Sequence, residues 1–175
     1  MLIGEIYIQS AIKRLASYKD LGDKTFAQLT EPDFFYQPNE QSNSIAIIIQ
    51  HMAGNMLSRW TDFLTTDGEK TWRSRDAEFE TRLNYQQLLD IWEKGWYCCL
   101  HAIEMLTEDD LAKTIHIRGE AMPAIDAINR QLAHYASHVG QIIYIAKILK
   151  NENWQTLSIA KGKSDAFNNQ MQPQK

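Results

Sequence analysis

At 175 residues and 20.3 kDa, with 44% hydrophobic and 23% charged residues, the chain is long enough for one domain with a full core and has an ordinary soluble composition. A net charge of −4 argues against nucleic acid as a partner, because affinity for phosphate backbones rests on clustered Lys and Arg. No apolar run approaches the ~20 residues that span a bilayer, and no leading segment has the basic-then-apolar profile of a signal peptide.

Only 8 Gly and 4 Pro interrupt the chain, which favours long helices over many short strands. The first helix is expected over roughly Leu2 to Lys19, where Ile6, Ile8, Ile12, Leu15 and Tyr18 make an imperfect apolar stripe. It ends near Asp20-Leu21-Gly22-Asp23, with a short helical piece around Lys24 to Leu29. Pro32 and Pro38 then punctuate a loop, each biasing its predecessor away from helix. A second helix starts after Ser42 or Asn43 as N-cap and runs to about Phe63, with Ile45, Ile49, Met52, Met56, Trp60 and Phe63 at spacings of four and three.

The stretch from Thr65 to Glu80 is polar and long for a connection in a compact fold, and such connections are usually functional or disordered. Its Lys70, Arg73 and Arg75 alternate with Asp67, Glu69, Asp76 and Glu78, the pattern of a solvated or salt-bridged loop. Asn84 and Gln87 resemble a capping box. They open a third helix carrying Leu88, Ile91, Trp92, Trp96, Cys99, Ile103 and Leu106. Thr107 to Asp110 caps a further turn, and Thr114 to Arg118 alternates as a short strand ending at Gly119. Pro123 suits the first turn of a fourth helix that runs to about Asn151. From about residue 152 the tail is polar. The adjacent Cys98 and Cys99 form no spaced disulfide framework and read as small apolar residues of a cytoplasmic protein. The expected fold class is all-α, a four-helix bundle with long connections and a short β-hairpin before the fourth helix, in a single domain over 1–175.

Chemistry enters with the histidines. His134 and His138 are four residues apart in the fourth helix, so their rings project from one face about 40° apart. A third ring, His51, lies in the second helix and would complete a three-histidine site that leaves metal positions open. His51, Asn55, Ser58, Arg59 and Asp62 share one polar stripe; Gln131, His134, His138 and Gln141 share another beside an apolar seam. The plain alternative is a solvated helix face. His101 and His116 have no such company, and no phosphate loop, nucleophile elbow or HExxH pattern occurs.

Several runs carry a family resemblance. The segment 44–70 (SIAIIIQHMAGNMLSRWTDFLTTDGEK), its continuation 72–79 (WRSRDAEF), 134–141 (HYASHVGQ) and 154–159 (WQTLSI) resemble an uncharacterised branch of the DinB-like superfamily. The resemblance implies a four-helix bundle, often a homodimer, with a divalent metal on His51, His134 and His138. It also implies kinship with bacillithiol- or mycothiol-dependent S-transferases, in which a metal stabilises a low-molecular-weight thiol as its thiolate. The resulting expectation is a metal-dependent thiol S-transferase or hydrolase acting on a small molecule. Zn, Ni, Mn or Fe all suit imidazole donors. Asn55, Arg59 and Gln141 are candidates to support the ligands or touch substrate. The alternative is a non-catalytic, metal-stabilised dimeric bundle acting through protein contacts.

Overall fold

The apolar stripes become four long helices in the computed structural model of the protein, which describes residues 2–80 and 83–171. Helix α1 spans Ile3–Phe26 without a break, longer than the sequence suggests. Gly22 does not end it, because the missing side chain there admits the Trp92 indole, whose Nε1 donates to Asp23 at 2.8 Å. The segment expected as loop at Pro32 is a short helix, α2 (Glu31–Phe35). The proline sits in its first turn, where its lack of an N–H costs nothing, and Asp33 accepts from the Thr30 N–H and hydroxyl.

Helix α3 (Ile45–Trp60) is capped by Ser44, one residue beyond the expected caps, whose Oγ accepts from Ile47 N. Thirteen of its sixteen residues are buried, which makes it the central helix and not a half-solvated one. It stops at Trp60, short of Phe63: Thr61 is extended and Asp62 has φ +50°. Helix α4 (Tyr85–Glu104) opens on the expected box, with Asn84 and Gln87 exchanging 3.0 Å bonds. Strands β1 (Thr114–Ile117) and β2 (Glu120–Pro123) pair antiparallel, Ile117 opposite Glu120. Their two-residue turn, Arg118-Gly119, has both φ positive (58° and 76°), as tight hairpins require. Helix α5 (Ala124–Lys150) follows at once and ends where Asn151 turns to φ +46°. Helix α6 (Ser164–Met171) buries none of its residues.

One contiguous core joins α1 to α5 and the hairpin, built around Leu15, Phe34, Ile49, Met56, Trp92, Trp96, Tyr135 and Ile142. Helix α3 packs most extensively on α4, and α1 on α5. Each such large side chain withdrawn from water contributes about 1.5–3 kcal/mol. The fold is thus mostly helical with one small two-stranded sheet. No described helix is long and apolar enough to cross a membrane.

Candidate metal centre

Two turns into α3, His51 faces α5, where His134 and His138 stack one turn apart. Their ring edges meet: His51 Nε2 lies 3.3 Å and His138 Nε2 3.0 Å from His134 Nε2. One ligand atom from each of the three lies within 4.8 Å of the other two. At metal–nitrogen bonds of about 2.0–2.1 Å, two nitrogens sharing an ion stand roughly 2.9–3.4 Å apart. The two contacts fall in that range. The donor chemistry also fits, since three neutral imidazoles suit a borderline first-row ion and leave coordination positions open.

Burial disfavours a proton on the two rings of α5. His134 is pushed down to about 3, first by desolvation and then by the charges of His138, His51, Arg59 and Arg73. His138 is lowered by burial and by His51, against the opposing bond to Gln141. Neutral rings present lone pairs, and at the shared Nε2 apex a single proton at most can bridge between neighbours. The arrangement is costly for three protonated groups and suited to one cation.

Around the rings, the long connection after α3 folds back as a cover. Glu78 Oε2 lies 3.0 Å from His51 Nδ1. Arg73 grips the same carboxylate with two bonds, of 2.7 and 2.9 Å. Burial pushes the Glu78 carboxyl up, but the bonds from His51 and Arg73 and the charge of Arg73 outweigh it and hold it below its ordinary value. The Phe79 ring stacks on His51 with centroids 5.5 Å apart, and 45% of that residue is open to solvent. On the far side, Gln141 Oε1 lies 2.9 Å from His138 Nδ1.

The other expected residues point elsewhere. Asn55 is buried and its Oδ1 accepts from Tyr135 Oη, which in turn accepts from Trp60 Nε1. That network braces α3 against α5 one turn from the rings. Arg59 is also buried. Its guanidinium donates to the Gly68 carbonyl and to Glu69, tying the connection to α3 and facing no open space. Ser58, from the same stripe, donates to Gly68 O at 2.6 Å. Segment 65–80 therefore covers the stripe at His51, Ser58 and Arg59, α5 covers it at Asn55, and only its end at Asp62 is exposed to solvent. Glu78 and Arg73 went unassigned at the sequence level. The signal that could have found them is Gly54, one turn after His51, where a helix interior gives up a side chain to admit a neighbour.

No curated protein matches this chain. Residues 2–163, which include all three histidines and the covering segment, match the pattern of one family, and the chain belongs to it: the family described as "Protein of unknown function (DUF1572)".

Proposed function

We propose that the protein is a divalent-metal protein of DinB-like four-helix-bundle type, with His51, His134 and His138 as ligands, and that it acts as a thiol S-transferase or a hydrolase on a small molecule. The observation that carries the reading is the convergence of three Nε2 atoms from two helices at 3.0 and 3.3 Å. When bound, a Zn, Ni, Mn or Fe ion there supplies Lewis acidity, favouring the deprotonated form of a thiol or water beside it. The chain's own residues do the rest. The three imidazoles hold the ion without adding negative charge, so its full attraction for an anion is kept. Phe79, stacked on His51 and half open to solvent, offers an apolar face to a substrate group at the rim. The buried Arg73 and Glu78 pair neutralises its own charges behind His51.

Elemental analysis of purified protein tests the reading. Wild type, stripped and reloaded, is expected to hold near-stoichiometric metal, and His134→Ala to lose most of it; equal content in both overturns the proposal. A second reading, a metal-stabilised dimer without catalysis, draws on the apolar surface at the start of α1. There Ile3 and Ile6 are exposed beside Leu111 and Ile125. It is favoured if metal raises the melting temperature of a sedimenting dimer while no thiol transfer or hydrolysis is found.

A further inference from the structure

Three features outside the histidines converge on a single carboxylate. The side chains of Arg73 and Glu78 are 2% and 9% exposed, so this is an interior ion pair. The Arg73 fork engages both oxygens, Nε on Oε1 and Nη2 on Oε2. The backbone that carries Glu78 is itself fixed, because Gln50 Nε2, next to His51 in the chain, donates to Glu78 O at 3.1 Å and Glu80 O at 2.9 Å. Finally, α3 makes room: a Cβ at Gly54 would collide with Glu78 Oε1 and crowd the rest of its carboxylate. A surface acid that happened to meet a histidine would need none of these provisions.

We propose that Glu78, clamped by Arg73 and seated against Gly54, is the positioning residue that keeps His51 protonated on Nδ1 and turns its Nε2 lone pair toward His134 and His138. A carboxylate already receiving two N–H bonds from arginine is an acceptor only. The hydrogen in the 3.0 Å contact with His51 therefore belongs to the imidazole. Neutral imidazole carries one N–H, so Nε2 is left bare. A carboxylate partner also makes the ring a stronger donor and stops its rotation, the usual service of an outer partner to a metal-bound histidine. This inference deepens the metal-centre proposal and rests on it for its purpose, but the state of His51 can be read without any metal.

Long-range nitrogen–proton NMR correlations on 15N-labelled, chelator-stripped protein read the tautomer of each ring. Wild-type His51 is expected as the Nδ1–H form. In Glu78→Gln the amide carbonyl stays with Arg73 and the NH2 faces Nδ1, so His51 should switch to Nε2–H. Gly54→Ala displaces the carboxylate but keeps every charge, and alanine is the better helix former; it carries the test if Glu78→Gln fails to fold. It should erode the Nδ1–H form as well, and Zn affinity should fall about 10–100-fold in either variant. On a Glu78→Ala background, Gly54→Ala should cause no further loss of affinity, since nothing remains to be displaced. His51 found as Nε2–H in wild type, or a tautomer and affinity indifferent to both substitutions, overturns the proposal. A wild type with His51 as Nδ1–H that binds no metal leaves the positioning role standing and removes the metal-centre reading instead.

Discussion

His134 shows how far a fold can move one group. Its imidazole is pushed from 6.5 to about 3, because the interior and its cationic neighbours disfavour a proton there. The unfolded chain takes up that proton near pH 6.5, while the folded chain resists it down to about pH 3. The unfolded state thus binds more protons across that window, and stability is lost as pH falls through it. His138 acts in the same direction. Glu78, held below its ordinary 4.5, adds a loss of the same sign at the acid end. For metal-stripped protein, the urea midpoint should therefore fall from pH 7.5 to pH 5, and fall less in His134→Gln. A midpoint that rises toward pH 5 would contradict this account of burial.

Between elements, two glycines make opposite predictions. At Gly95, α4 lies close against α3: a Cβ there would stand 3.1 Å from Ala53 Cα and 3.2 Å from Met56 Sδ. Gly95→Val should overfill that crossing and destabilise by about 1–3 kcal/mol. Gly140, on the open face of α5, has nothing within 4 Å of the same position. Gly140→Ala should stabilise by about 1 kcal/mol through helix propensity alone. Chemical denaturation of both variants measures the contrast, and equal effects would mean that the α3–α4 contact is looser than described. Such crossings were not legible from the chain, where Gly22, Gly95 and Gly140 look alike. The helices themselves were legible, because apolar side chains recurring every three to four residues can be buried together only on a helix. The unexpected α2 and the unbroken α1 reflect partners that lie far along the chain: Lys150 for Asp33 and Trp92 for Gly22.

Across the whole molecule, the tail divides at an identifiable point. Gln155 is tied to Gln28 by two backbone–amide bonds, of 2.8 and 3.1 Å, whereas the segment Ser164–Met171 buries nothing. The family match likewise ends at residue 163. Removing everything after Lys163 should shift stability by less than about 0.5 kcal/mol. A clear fall in melting temperature would assign α6 a contact that the single chain does not make.

From the chain alone came the helical class, the apolar faces, the caps at Asn84 and Thr107 and the one-turn spacing of His134 and His138. All of these are local, set by backbone geometry within a few residues. Only the tertiary structure decided that His51 meets that pair across 83 residues. It also decided that Asn55 and Arg59 brace the interior, and that a polar connection delivers Glu78 and Arg73 to the back of His51. Those outcomes depend on which faces pack together and at what separation. Periodicity says that a face will be buried; it carries no information on what will be buried against it.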